Sequence, residues 1–576
     1  KLQLRVTNQT VAGRESTRHD RLSIVQNDET SAPGYIGNPG PATLTLNATS
    51  DHSFHGIIRD RDGAALSIVK NGTGTQEFIN AAVQGYGYTG GTTINEGTLK
   101  LNFDDLRPTS WSSNIHIAAS GATLELAGKW NIFRTLSGPG QLVKTGPGQI
   151  SVCNIDGDAN ANTYSGGTVI REGTLKFYAT NGSTGEGNVP GEFCPAGPMD
   201  PSNVIQVKPG ATLGVGAIAC FGESWLLPEH GVTIDIEPGG RLWGADGDNI
   251  AFVPNIHLDG ATVEVTSGSN VGGFNTNMTF VGTVVVGGTS NLASRIFNGD
   301  GFTGPNANIS LGSAGLPGTV FQVDDVTLSS DPDLVVSSPL RNVGSAVSPL
   351  TKTGAGTMLL QGTNSYSGLT HVVEGELQIA SPTLVDTADV AIDATGTLAL
   401  LYTATDTINR LTLDGVAMDV GFYGSTTNTT PGIIQTPRIT GHGVLYVTAG
   451  PITDPYLLWA DAIADVNQRG KTDDPDHDGF TNIEEFLFGT SPAAANGSLI
   501  GIEATGAGLV VRWNQRAAGT STYVLQESTT LVDDPWATST APITDNPVQD
   551  LPDYVRKQAT LPIDVARKFV RVEATE

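Results

Sequence analysis

Residues 474–485 read Asp474-Pro-Asp476-His-Asp478-Gly479-Phe480-Thr-Asn482-Ile-Glu-Glu485, the densest oxygen-ligand pattern in the chain. Alternate carboxylates at Asp474, Asp476 and Asp478 turn to one side of a tight loop, and Gly479 permits the sharp bend. The Phe480 backbone carbonyl adds an oxygen, Asn482 contributes directly or through water, and Glu485 closes the shell with two oxygens. Hard oxygen donors at this spacing suit calcium, the cofactor expected here. The sequence carries neither a His-Glu-x-x-His nor a Gly-x-Ser-x-Gly arrangement, and His52 with His55 lack a third ligand close in sequence. Gly85-Tyr-Gly-Tyr-Thr-Gly90 matches a dinucleotide fingerprint only by letter, because it precedes a strand pattern rather than a helix.

The segments on either side of the acidic run must hold it. Asp454-Pro455 is a helix-start signal, and Tyr456, Trp459, Ile463 and Val466 then follow at amphipathic spacing until Gly470. A second short helix is expected over Asn482–Phe488, stopped by Gly489 ahead of Ser491-Pro492. Helix, twelve-residue loop and helix make an EF-hand-like element over 451–495. A lone loop of this kind fits extracellular calcium, riveting the parts on either side of it and fixing their angle. Beyond it, alternating segments from Leu499 to Trp513, Tyr523 to Glu527 and Phe569 to Val572 predict a small β-sandwich over 496–576, with Trp513 and Trp536 in its core.

Upstream of the acidic loop one phrase occurs three times. Ser67-Ile-Val-Lys-Asn-Gly-Thr-Gly74 is followed by Tyr88-Thr-Gly-Gly-Thr-Thr-Ile-Asn-Glu-Gly97-Thr-Leu-Lys-Leu101. Gln141-Leu-Val-Lys-Thr-Gly-Pro-Gly148 leads to Tyr164-Ser-Gly-Gly-Thr-Val-Ile-Arg-Glu-Gly173-Thr-Leu-Lys-Phe177. Pro349-Leu-Thr-Lys-Thr-Gly-Ala-Gly356 leads to Tyr366-Ser-Gly-Leu-Thr-His-Val-Val-Glu-Gly375-Glu-Leu-Gln-Ile379. Each copy alternates apolar and polar residues on both sides of a glycine corner, the mark of half-buried strands that bury their apolar faces only by stacking. Short strands joined by glycine corners, spaced less evenly than propeller blades, predict a parallel β-helix over 19–450, preceded by an N-terminal strand or arm over 1–18. The fold class is mainly β: a solenoid, then a short helix–calcium loop–helix, then the sandwich. Gly97, Gly173 and Gly375 are expected at equivalent corners.

These repeats resemble the autotransporter-associated β-strand repeat of bacterial secreted passenger proteins. The resemblance implies an extracellular β-solenoid and no particular chemistry. That family's usual C-terminal membrane barrel is not visible in this sequence. The stretch from Trp459 through the acidic loop to Ser491-Pro492, and the Tyr523–Ser528 to Trp536 pattern after it, resemble modules of large secreted proteins from planctomycete–verrucomicrobial bacteria. Such modules anchor, sort or join.

Composition agrees with surface exposure. Charged residues are 15% of the chain, and 58 acidic against 31 basic residues leave a net charge of −27. That balance argues against a nucleic-acid partner, which needs a basic face. No run approaches the ~18 apolar residues of a membrane helix. The sequence opens at Lys1 rather than Met, which points to a removed leader or a start inside a longer product. Cys194 and Cys220 are candidates for one disulfide or for free thiols, with Cys153 left over.

A catalytic alternative, a β-helix polysaccharide lyase or hydrolase, would need clustered carboxylates on one face. Asp60 with Asp62 and Asp246 with Asp248 are the candidates, and both pairs sit in glycine-rich corner contexts. The leading expectation is a non-catalytic extracellular structural protein. Its alternating Leu2, Leu4 and Val6 would add to the next protomer's sheet edge and build a head-to-tail surface fibre. The alternative is a monomeric surface adhesin that binds glycans or other cells. Asn71, Asn308 and Asn428 begin Asn-x-Ser/Thr motifs that could carry sugar.

Overall fold

An isolated repeat strand leaves both edges of its backbone unpaired, and in the computed structural model each finds partners one coil before and one coil after itself. The structure describes residues 2–3, 9–14, 24–27, 40–60, 64–80, 86–104, 113–132, 135–154, 162–179, 203–215, 232–244, 251–253, 255–266, 278–299, 308–312, 318–344, 346–451, 454–517, 519, 521–530, 536–545, 551, 553–565 and 568–575. Two compact units divide at Gly450 and Pro451.

In the first unit the chain is mainly β, with long ladders of parallel strands. One ladder climbs through Thr75–Asn80, Thr98–Asp104, Thr123–Ile132, Gln149–Asn154, Thr174–Ala179, Thr212–Val215, Arg241–Gly244, Thr262–Val265, Ser294–Asn298, Leu334–Val336, Thr357–Leu360, Thr370–Ile379 and Val390–Leu400. A second begins at Gln141–Lys144 and passes through Thr168–Ile170, Val204–Val207, Thr233–Ile236, Ile256–Leu258, Thr283–Val286 and Thr319–Val323 to Leu350–Thr353. Parallel pairing throughout both ladders agrees with a β-helix and not with the antiparallel blades of a propeller. Among the described residues of this unit, antiparallel pairs appear only near its end, as between Gly421–Ser425 and Val444–Val447.

Register follows from the apolar alternation. Leu175, Leu213, Leu242, Val263, Ile296, Val336, Leu360, Ile379 and Leu400 succeed one another in register along the first ladder, and all are buried. A slip of one residue would turn the slipped strand's whole apolar set outward.

The three glycine corners are equivalent in detail. Gly97, Gly173 and Gly375 have φ of +65°, +65° and +72°. A Cβ on each would lie 2.4 Å from the carbonyl oxygen of Gly72, Gly146 and Gly354, respectively. Those same carbonyls accept from a buried lysine. Lys70 Nζ donates to the carbonyls of Asn71 (3.0 Å), Gly72 (2.6 Å) and Glu96 (3.1 Å). Lys144 Nζ does so to Thr145 (2.7 Å), Gly146 (2.6 Å) and Glu172 (3.2 Å), and Lys352 Nζ to Thr353 (2.9 Å), Gly354 (2.7 Å) and Glu374 (3.0 Å). One tyrosine-threonine anchor is also kept in each copy, with Tyr88, Tyr164 and Tyr366 hydroxyls 2.6, 2.7 and 2.9 Å from Thr92, Thr168 and Thr370.

At the N-terminus, Leu2–Gln3 pairs in parallel with Val25–Gln26 of its own chain. Fibre assembly by strand addition therefore has no support here: one edge of that strand is already occupied, while Leu4 and Val6 lie outside the described residues. Two of the sugar-acceptor motifs are engaged in structure. Asn71 Nδ2 donates to Asn47 (3.0 Å) while Asn71 Oδ1 accepts from Asn95 (2.8 Å), and Asn308 is fully buried.

The second unit opens with α1 (Pro455–Ala460) and a 3-10 turn over Val466–Gln468, and continues to α2 (Asn482–Phe488). Helix α1 ends earlier than the amphipathic spacing to Val466 predicts. Arg469 explains this: its guanidinium donates to the backbone carbonyls of Asp461 (2.8 Å) and Ile463 (2.9 Å), which a longer helix would need for itself. One antiparallel sheet orders Ile500–Thr505, Gly508–Arg516, Tyr554–Leu561 and Ile543–Asp545, and another orders Ala537–Thr538, Thr522–Ser528 and Phe569–Thr575. Tyr456, Phe486, Phe488, Trp513, Leu525 and Leu561 share one core, so helices and sheets bury their apolar faces together. Trp536 is only half-buried, with the Arg571 guanidinium 4.6 Å from its ring centre. Among the described residues no helix is long and apolar enough to cross a membrane.

Two substitutions test the coil geometry. Gly173→Val places a β-branched side chain at positive φ against a backbone oxygen, and should destabilise the first unit by about 2 kcal/mol or more, whereas Arg171→Lys on the exposed face should be nearly neutral in the same denaturant titration. Lys352→Met keeps the buried stem but strands three carbonyls, and should cost about 3 kcal/mol or more at 1–3 kcal/mol per unsatisfied group.

Candidate metal centre

The loop between α1 and α2 turns at two left-handed positions, His477 with φ of +61° and Gly479 with φ of +92°. Glycine adopts that conformation without strain, and a single non-glycine residue there is uncommon. The bends gather Asp474, Asp476 and Asp478, each offering an oxygen atom within 4.8 Å of the others'. The cluster is shaped by the loop's own amides: Gly479 N–H donates to Asp474 Oδ2 (3.0 Å), Asp478 N–H to Asp476 Oδ1 (3.3 Å) and Phe480 N–H to Asp478 Oδ1 (2.9 Å). Thr481 then starts α2 with a capping box, its N–H donating 2.8 Å to Glu484 Oε2.

Glu485 sits fully buried on the first turns of α2. Its Oε1 accepts from Asn496 Nδ2 (2.7 Å) and Thr490 Oγ1 (3.2 Å), whereas Oε2 is buried without a hydrogen bond. Burial, followed by the charges of Asp476, Asp478 and Asp474, pushes its carboxyl up to about 7. Asp478 moves the other way, held below the usual carboxylate range by the Asn496 and Phe480 amides.

Asn482 is placed differently from the other five positions. Its Nδ2 donates to the carbonyls of Gln468 (2.7 Å) and Gly470 (2.8 Å), tying the incoming chain to α2, and its buried Oδ1 has no hydrogen-bond partner. Phe480 enters the network through its amide N–H. Three buried oxygens are thus left without donors in one loop: Asp476 Oδ2, Asn482 Oδ1 and Glu485 Oε2. Buried acceptors of this kind are costly unless a cation or donor meets them. The donor set is wholly oxygen, as a hard divalent cation requires.

Asn496 is the residue that spacing did not reveal. Eleven positions past Glu485 in an Ala-Ala-Ala-Asn-Gly run, it follows no ligand period, yet its N–H donates to Asp478 Oδ2 (2.5 Å) and its side chain to Glu485. Of the catalytic candidates, Asp60 alone lies within the described residues. Asp60 is engaged by its own corner, accepting from Leu66 N–H (2.7 Å), Thr89 N–H (3.0 Å) and the Thr89 hydroxyl (2.6 Å). Asp62, Asp246, Asp248, Gly85, Cys194, Cys220 and the Cys153 side chain lie outside the described residues.

The passenger-associated-transport-repeat family matches residues 68–101, 142–177 and 350–379. These are the three stretches that carry the buried lysine, the tyrosine and the positive-φ glycine. Over 452 residues the chain is 26% identical to the adhesin BmaC autotransporter of Brucella suis biovar 1 (strain 1330), a match that covers 74% of this chain and 12% of that protein. No solved structure matches the chain. The chain thus carries three passenger-associated transport repeats and is similar to an autotransporter adhesin, which indicates a protein secreted to the cell surface.

Proposed function

We propose that this chain is a non-catalytic, adhesive part of a surface passenger, with a solenoid that presents a contact surface to other cells and a C-terminal unit that binds one calcium ion. The observation that carries the adhesive reading is the match to an autotransporter adhesin over most of the chain. A parallel solenoid suits that role because each coil adds exposed strand faces and corners without changing the buried column behind them. The calcium reading is supported by the convergence of Asp474, Asp476 and Asp478 and by the buried oxygens of Asp476, Asn482 and Glu485 that lack a hydrogen-bond donor. Glu485 Oε2 is the natural closing ligand, and Asn496 holds the other oxygen in place.

Calorimetry on the full chain should show one calcium bound with a Kd on the order of 10⁻⁴–10⁻³ M, as for extracellular modules. Glu485→Gln or Asp474→Ala should weaken it at least about tenfold, and chelation should expose 470–495 to protease while the first unit stays intact. Absence of binding at millimolar calcium would remove the metal from this reading.

Adhesion has a separate test. Beads coated with native chain should stay on cell monolayers under washing several times better than beads coated with the heat-denatured chain, and the chain should sediment as a monomer. Equal retention of the two bead types contradicts the adhesive role.

A further inference from the structure

Helix α2 has seven residues, too few to persist alone against the cost of nucleation. Its end is completed from outside. Of its last four carbonyls, Glu485 O accepts from Gly489 N–H (2.7 Å) and Thr490 N–H (3.1 Å). Phe486 O accepts from the Tyr554 hydroxyl (2.6 Å), and Leu487 O from the Tyr523 hydroxyl (2.6 Å). The two tyrosines come from different sheets, Tyr554 from strand Tyr554–Leu561 and Tyr523 from strand Thr522–Ser528. Arg516 joins them: its N–H donates to the Tyr523 hydroxyl (3.1 Å), its Nη1 to the Tyr554 hydroxyl (3.2 Å), and its guanidinium lies 4.2 Å from the Phe486 ring centre.

The same helix carries Asn482 at its first position and Glu485 at its middle, two of the residues whose buried oxygens lack donors. We infer that α2 is a keystone through which the metal in the 474–485 loop governs the folding of both C-terminal sheets, so that the second unit is complete only where calcium is plentiful. The inference rests on the calcium reading above. With the cation bound, the first turn of α2 is held by Glu485, and the helix can present Phe486 and Leu487 carbonyls to the two tyrosines. Without it, a buried carboxylate beside three others pushes that turn apart, and each sheet loses its hydrogen bond to α2. A protein exported from a calcium-poor interior would then close this unit after export.

Hydrogen exchange on the full chain tests the coupling. On chelation, amides in Gly508–Arg516, Thr522–Ser528, Tyr554–Leu561 and Phe569–Thr575 should lose protection together, by at least about tenfold, and regain it with calcium. Loss confined to 470–496, with both sheets unchanged and calcium binding intact by calorimetry, overturns the keystone but leaves the metal site standing. No calcium binding in calorimetry overturns both. Reciprocity supplies a second arm: Tyr523→Phe with Tyr554→Phe leaves every loop oxygen in place yet should weaken calcium about tenfold. Unchanged affinity in that variant contradicts the coupling. Should the double variant fail to fold, Tyr523→Phe alone carries the test, with an expected loss of about threefold and the same contrary outcome.

Discussion

A buried ammonium clasping three backbone carbonyls is the interaction on which each full repeat depends. Lys70, Lys144 and Lys352 are fully buried, and burial pulls Lys144 and Lys352 down to about 8. An ammonium in such a place is costly unless every N–H finds an acceptor. The repeat meets that demand with two carbonyls from the lysine's own turn and one from the Glu-Gly corner of the next coil. The glycine of that corner is then obligatory, because only a residue without Cβ can bring its backbone against the carbonyl the lysine already holds. Lysine, glycine pair and Glu-Gly corner form one linked device, which is why they recur together.

Coils between the second and third full copies hold their corners by other means. Asp333 is the clearest case and inverts the charge: its buried carboxylate accepts from the amides of Val326 (2.9 Å), Thr327 (2.8 Å) and Thr357 (2.7 Å). Elsewhere the interior uses Ser294 and Thr319, whose hydroxyls reach the carbonyls of Leu258 and Phe280. What stays constant across these coils is the apolar column and its register. Corner chemistry is free to vary as long as the backbone groups there are answered.

The parallel strands and the glycine corners were legible because period-two alternation and positive-φ glycine both act within a few residues. The inward lysines were legible in principle, since Lys70 shares the parity of Leu66 and Ile68, both buried. A charged residue on an apolar face reads as an exception until its three carbonyls are known. The acidic loop was readable from spacing, but Asn496 was not, because it reaches the loop from a segment with no period of its own. Arg469 shortening α1 belongs to the same class: a side chain doubling back on carbonyls leaves no trace in helical spacing. At the N-terminus, alternation in Leu2, Leu4 and Val6 marks a strand equally well whether its partner is another chain or, as for Leu2–Gln3, its own.

The clasps also bear on how the solenoid meets mechanical load. Parallel coils held only by ladder hydrogen bonds can be peeled from one end, each coil yielding at much the same tension. A lysine that grips its own turn and the next coil's corner interrupts that zipper, since the next coil cannot leave without breaking a contact to a charged group. The three clasps, joining Lys70 to Glu96, Lys144 to Glu172 and Lys352 to Glu374, fall in two neighbouring coil sets near one end and one near the other. A surface protein pulled by flowing liquid would therefore give way in steps, each clasp raising the force needed to release the coil it holds.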